Sequence, residues 1–200
     1  LPLITTPYIS GVLGAEKIGI YSFTTSIATY FILFGSLGVA MYAQREIAYV
    51  QDDEKKRSKL FWEIFFFRCI TMAISIIAFY FTYASHGEYQ LYYKILIIQL
   101  FANVLDISWF FQGLEEFKKT VTRNLLVKIL SVISIFIFVK TQEDLWIYFV
   151  IFVLSILLGN ISLWVYLPKY IVKLKGEKLQ IFSHLKPTIG LFIPQIAIDV

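Results

Sequence analysis

Charge is scarce in this sequence. Asp, Glu, Lys and Arg together supply 16% of its 200 residues, against about 25% in ordinary soluble domains. The scarcity is uneven as well. Charged residues are bunched, and apolar runs of about 20 residues, the length a helix needs to cross a bilayer, lie between the bunches. A water-soluble fold would have to bury all those runs, and 200 residues do not supply enough polar surface to cover them. Cysteine is nearly missing: Cys69 stands alone, so no intrachain disulfide can form and metal-ligand spacing is absent. It reads as a small buried apolar residue. Histidine is limited to His86 and His184, which fall in different connections on opposite sides of the expected membrane and so cannot share a metal. No GxSxG, HExxH, Walker A or CxxC motif is present. A soluble-enzyme constellation and direct use of ATP are therefore not expected, and no cofactor is implied.

What is present is apolar: 58% hydrophobic residues and a mean hydropathy of +0.71. Together with the spacing of the runs, this predicts an all-α, polytopic helical membrane protein. Residues 1–9 read as the end of a helix, and residues 11–17 as a short connection with Gly11 and Gly14. Spans are expected at residues 19–43, 60–83, about 92–113, about 121–139 and 145–167, and Pro187 opens a further apolar helix as a first-turn proline. That makes about six spans plus the start of a seventh. The chain begins without an initiator methionine, inside one apolar segment, and stops inside another, so a piece of a longer protein is expected; no cleavable signal peptide is visible.

The formal net charge is +4, with a pI near 9.0. Nucleic acid is rejected as the reason, because the basic residues sit between spans, where orientation signals belong. Lys and Arg number thirteen in residues 44–59, 113–124 and 168–187 together, against three (Lys17, Lys94 and Lys140) in the alternate connections. This bias assigns the charged connections, and the N-terminus, to the cytoplasm. Trp62, Trp109, Trp146 and Trp164 lie near expected helix ends, as interfacial aromatics do.

Nearly every span carries a polar stripe. Ser22, Ser26, Thr29 and Ser36 share one face, as do Arg68, Thr71, Ser75 and Thr82, and Gln99, Asn103 and Asp106 recur at i, i+4 and i+7. Asn124, Lys128 and Ser131 repeat that spacing, and Thr188, Gln195 and Asp199 align on the last helix. Interhelical hydrogen bonding accounts for single Ser and Thr residues; the stripes together favour a hydrated cavity. Counting from the cytoplasmic helix ends puts Arg68, Asp106 and Lys128 at a common depth of roughly 10–13 Å at 1.5 Å per residue. Intramembrane charges are costly and mark function, so the expectation is a net-positive cavity suited to an anionic solute. Its candidate substrate-binding residues are Arg68, Lys128, Asn103, Gln99 and Asn124, and Asp106 and Asp199 are the candidate ion-coupling sites. Glu63, nearer the interface, reads as a solvated boundary residue.

Three segments, PYISGVLGAEKIGIYSF (residues 7–23), AQREIAYVQDDEKK (43–56) and DISWFFQGLEEFK (106–118), together with the opening of the last helix, are similar to bacterial polysaccharide repeat-unit flippases. These are the Wzx-type O-antigen transporters of the multidrug/oligosaccharidyl-lipid/polysaccharide superfamily. The resemblance covers essentially the whole chain, and its most specific part is Gln112-Gly113-Leu114-Glu115 with Phe117. It departs at Gly11, where members commonly carry a basic residue. The resemblance implies a MATE-like fold of two lobes, residues 1–180 forming the N-terminal lobe and 181–200 starting the C-terminal one. It further implies transfer of undecaprenyl-diphosphate-linked oligosaccharides across the bacterial cytoplasmic membrane by alternating access driven by a proton or sodium ion. A polysaccharide polymerase is a candidate partner, alongside the bilayer itself. Two rivals remain at this point: a small-molecule exporter on the same fold, and a membrane-embedded enzyme of lipid-linked sugar assembly. The short outward connections argue against the enzyme.

Overall fold

The computed structural model describes the backbone of residues 2–174 and 176–199 and the side chains of residues 5–174 and 176–192. The described residues form helices joined by short turns and contain no strand. The helices are α1 (Pro2–Ser36), α2 (Val39–Tyr49), α3 (Glu54–Phe79), α4 (Gln90–Val104), α5 (Ser108–Gly113), α6 (Phe117–Phe138), α7 (Leu145–Trp164) and α8 (Leu185–Asp199). Five stretches among the described residues are long and apolar enough to cross a membrane: Thr5–Ser36, Glu54–Ala84, Gln90–Gly113, Phe117–Phe138 and Gln142–Lys169. The chain is a multi-pass helical membrane protein.

Several boundaries differ from the sequence reading. The expected connection at residues 11–17 is instead helix, interrupted only at Gly14, whose φ of 77° and ψ of 168° kink α1. The expected span to residue 43 stops at Ser36, because Leu37 and Gly38 both take positive φ (46° and 72°) and turn the chain. A glycine adopts that conformation without steric cost. At Gly38 there is a second reason, since an added Cβ would sit 3.0 Å from the backbone nitrogen of Phe192 on α8. The charged stretch 44–59 is not one loop. Its first part completes α2, and Asp53 starts α3 by accepting the amides of Lys55 and Lys56 at 3.1 and 3.0 Å. That is an N-cap, which satisfies donors that have no partner inside the helix.

Packing separates into two apolar clusters. One joins Leu13, Ala28, Met72, Phe79, Leu96, Leu100, Phe149 and Val153 from the long helices. The other joins Val39, Tyr42, Ile47, Phe61, Ile64, Trp109, Phe110, Leu163 and Leu167 at the end that carries the charged connections. Close approach relies on glycine in two places. A Cβ on Gly35 would lie 2.7 Å from Met72 Sδ, and one on Gly113 would lie 2.7 Å from the Gln44 carbonyl oxygen. At the charged end, Arg57 is buried and donates to the Tyr170 carbonyl at 3.0 and 2.7 Å and to the Gln51 carbonyl. The segment after α7 is thereby strapped to α3.

Candidate functional site

The Gln90–Gly113 span is interrupted. α4 ends at Val104, α5 begins at Ser108, and residues 105–107 are not helical. An interruption in hydrocarbon leaves carbonyls without intrahelical partners, and each has to be satisfied by neighbouring protein. Here other helices supply the donors. Asn160 Nδ2 on α7 donates to Ala102 O at 2.7 Å, and Trp164 Nε1 donates to Leu105 O at 2.8 Å. The Asp106 carbonyl accepts from Arg68 Nη1 at 3.0 Å and from Trp109 Nε1 at 3.1 Å. The Asp106 carboxylate accepts the Ser108 amide at 2.9 Å, which starts α5.

Beside the interruption lies a cavity of about 470 Å³. The α1 stripe supplies Thr25, Ser26, Thr29 and Ser36, α3 supplies Arg68, and the interrupted span supplies Asn103 and Asp106. Arg68 is 3% exposed, and its Nε has no hydrogen-bond partner among the described residues. Its charge meets the Asp106 main-chain carbonyl and has Asp106 as its carboxylate neighbour. Burying a guanidinium with a donor unspent is costly, and Arg68 is the cationic residue on the wall of this cavity. Asp106 has a second cationic neighbour, Arg123 on α6, which reaches Asn160 Oδ1 at 3.1 Å.

Residues 1–198 match the family described as "Polysaccharide biosynthesis protein". The chain belongs to that family. It is 30% identical over 148 residues to a protein of Escherichia coli (strain K12), a match covering 72% of this chain and 36% of that protein. It is 26% identical over 148 residues to one of Shigella dysenteriae, covering 72% of this chain and 37% of that one. Both carry the name "Putative O-antigen transporter". The chain spans about a third of the length of these curated relatives. No solved structure matches it significantly.

In this member of the family the residues singled out from the sequence are divided between places. Arg68, Asn103 and Asp106 share the cavity. Gln99 does not line it: the side chain is buried at 7% exposure, and its Oε1 has no partner among the described residues. Lys128 and Asn124 line a separate groove of about 640 Å³ along α6 and α7, which Arg123, Asn160 and Thr5 also line. Equal depth along the membrane normal did not put Lys128 on the same face as Arg68. The expected excess of two cations over one carboxylate therefore does not line a single cavity; Arg123, not Lys128, is the second cation beside Asp106. Asp199 lies outside the described side chains. Trp109 is buried at 1% exposure rather than interfacial, and Glu63 is buried at 6% rather than solvated.

Arg123 was legible only as a loop charge, because it lies close to Lys118 and Lys119 in sequence. In the structure it belongs to the first part of α6 and points at α7. Asn160 and Trp164 were missed as supports of the interruption. Their only signal was an amide and an indole in the otherwise apolar α7.

Proposed function

We propose that this chain is part of a transporter, not an enzyme, that flips undecaprenyl-diphosphate-linked oligosaccharide repeat units across the bacterial cytoplasmic membrane for surface polysaccharide assembly. The observation that carries the reading is Arg68: a buried guanidinium with an unspent donor, on a polar intramembrane cavity, in a member of the polysaccharide biosynthesis family. The diphosphate is the anion such a site would take, and the hydroxyl and amide groups of Thr25, Ser26, Thr29 and Asn103 suit sugar hydroxyls. The lipid tail stays in the bilayer while the polar head passes inside. Asp106, flanked by Arg68 and Arg123, is the proposed point at which a proton or sodium ion couples to the movement, and Asp199 is a second candidate. Within a MATE-like arrangement, residues 1–180 would form the N-terminal lobe, with the charged end and the N-terminus in the cytoplasm.

The test uses the whole encoded protein in a strain lacking its own copy, with export of surface polysaccharide as readout. Arg68→Ala should reduce export by about 10-fold or more, the size of a lost charged hydrogen bond, at unchanged protein level in the membrane. Arg68→Lys should recover part of it. Full export by Arg68→Ala would remove the cavity from the pathway. Asp106→Asn should abolish the response of transport to the proton or sodium gradient; a normal response would sink the coupling role.

A further inference from the structure

The groove along α6 and α7 lies apart from the cavity, and transport as described above does not use it. It follows α6 from Arg123 to Ile135, about 18 Å of helix at 1.5 Å per residue. Its two ends differ. Arg123, Asn124, Lys128 and Asn160 gather toward the charged end, and Val132, Ile135 and Phe152 line the rest. Two cations face the groove and no carboxylate does. Lys128 makes no hydrogen bond or ion pair among the described residues. Arg123 reaches only amide and carbonyl oxygens, those of Asn124, Gly159 and Asn160, and its carboxylate neighbour Asp106 lines the other cavity. Asn124 gives its Oδ1 to Arg123, which leaves Nδ2 as a third donor at that end. Ser131 and Ser155 bond back to carbonyls of their own helices, so the trough beyond Lys128 presents mainly hydrocarbon.

An unmatched ammonium on a membrane-spanning helix is costly. Its long stem lets it snorkel toward the nearer interface, which is the end that holds Arg123. The chemistry that satisfies this end is an anion, and the chemistry that satisfies the trough is a hydrocarbon chain. A free anion would fill only one of the two. We propose that the groove is a binding site for an anionic phospholipid, its phosphate held by Lys128 and Arg123 and one tail laid along Val132, Ile135 and Phe152. The proposal takes only the cytoplasmic orientation of the charged end from the reading above, and nothing from the transport cycle.

Size, access and charge agree with that occupant. The tail of one leaflet spans about half of the ~30 Å hydrocarbon core, close to the length of the groove. The volume of about 640 Å³ falls within the roughly 300–1,000 Å³ of ligand pockets. Of the five spans among the described residues, Phe117–Phe138 is the least covered, so lipid reaches the groove from the side. Basic pockets between membrane helices at the cytoplasmic side suit acidic headgroups. A zwitterionic lipid fits less well, because its ammonium would meet Lys128 and Arg123 with no carboxylate on the wall to receive it.

The test is a crosslinking measurement that does not depend on transport. The whole encoded protein is placed in phosphatidylcholine nanodiscs that hold a trace of phosphatidylglycerol or of phosphatidylethanolamine. Each tracer carries a photoactivatable diazirine in the same acyl chain, and the labelled peptides are read by mass spectrometry. Phosphatidylglycerol should label residues 132–135 and 152–156 about 5-fold more than phosphatidylethanolamine, the weight of a basic residue near acidic lipid. Lys128→Gln, which removes one cation at similar size, should lower that labelling by about 5-fold, and Lys128→Arg should keep it. Ser155→Phe, which fills the trough and leaves both cations, should remove labelling at Phe152. Equal labelling by the two tracers, or a Lys128→Gln protein labelled like the parent, would overturn the site. So would the absence of label on these faces, the result if another part of the whole protein covers the groove. Labelling by a photoactivatable polyprenyl phosphate that phosphatidylglycerol does not displace would also overturn it, giving the groove to the transported lipid. Phosphatidylglycerol labelling in a protein that exports no polysaccharide would leave the lipid site standing and refute the transport reading instead.

Discussion

Replacing Asn160 by Leu tests whether the interruption in the Gln90–Gly113 span is a built feature held from α7. Leu keeps the branching and heavy-atom count of Asn but is bulkier, so the change removes hydrogen bonds and adds some overpacking at a buried position. Two bonds go: the 2.7 Å bond to the Ala102 carbonyl and the 3.1 Å bond from Arg123. Hydrogen bonds between membrane helices average only about 0.6 kcal/mol, because the unfolded chain in the bilayer finds other partners. The Ala102 carbonyl is a harsher case. It lies in the last turn of α4, and the chain breaks before an amide can reach it, as the Asp106 amide goes to Asn103 O instead. An orphaned buried carbonyl costs about 1–3 kcal/mol, and the upper half of that range applies. Arg123 is not orphaned, since it keeps its bonds to Asn124 Oδ1 at 2.7 and 3.1 Å and a long contact of 3.4 Å with the Gly159 carbonyl. At roughly 2–4 °C per kcal/mol for a chain of this size, the unfolding midpoint should drop by several degrees. The assay is tryptophan fluorescence on heating in detergent, at one fixed scan rate because such unfolding is seldom reversible. Ser162→Ala is the control: its hydroxyl only bonds back to Gly159 O in its own helix. If Asn160→Leu melts with Ser162→Ala, the interruption does not depend on α7 and the account of Asp106's placement fails.

Gly35→Ala puts a Cβ 2.8 Å from Ser75 Cβ, so α1 and α3 must part; thermal unfolding should show a loss of about 1–3 kcal/mol. Gly19→Ala, with open space around it, should be neutral or stabilising in the same assay. Lys119 and the Tyr170 hydroxyl, bonded to Glu116 at 2.8 and 2.6 Å, hold its carboxyl below the usual range. The tie is therefore present above the ordinary carboxylate pKa and disappears as pH falls through the lowered value. Glu116 is 39% exposed, so solvent screening keeps the effect under about 1 kcal/mol. Hydrogen exchange at the turn between α5 and α6 should quicken only in that acid window, and Tyr170→Phe should move its onset to higher pH. Arg123→Gln should impair export far more than Lys128→Gln, since only Arg123 interacts with Asp106; equal effects would show that the groove between α6 and α7 matters as much as the cavity.

Much of the fold was legible because the bilayer demands long uncharged helices, and length with hydropathy reports that directly. The spans at residues 60–83, 121–139 and 145–167 appear within a few residues as α3, α6 and α7. Arg68, Asn103 and Asp106 stood out in the sequence for a related reason: a polar group is rare in such a helix; helical spacing was no guide to their grouping, because Asp106 lies in the break after α4 and Gln99, on the same expected stripe, does not line the cavity. Depth along the helix can be counted from sequence; rotation of one helix against another cannot. That is why Lys128 was grouped with Arg68 and proved to line a different groove.

The sequence by itself determined that this is a helical membrane protein with intramembrane charge, because hydrophobic length and costly polar residues are local properties. The tertiary structure alone decided what those charges touch. The guanidinium of Arg68 meets the carbonyl of Asp106 and not its carboxylate, and Glu63 is no boundary residue but one end of a buried bridge to His184. The partners are separated by 38 and 121 positions in the chain. Such contacts follow from which faces the helices turn to one another, which packing of the whole bundle sets.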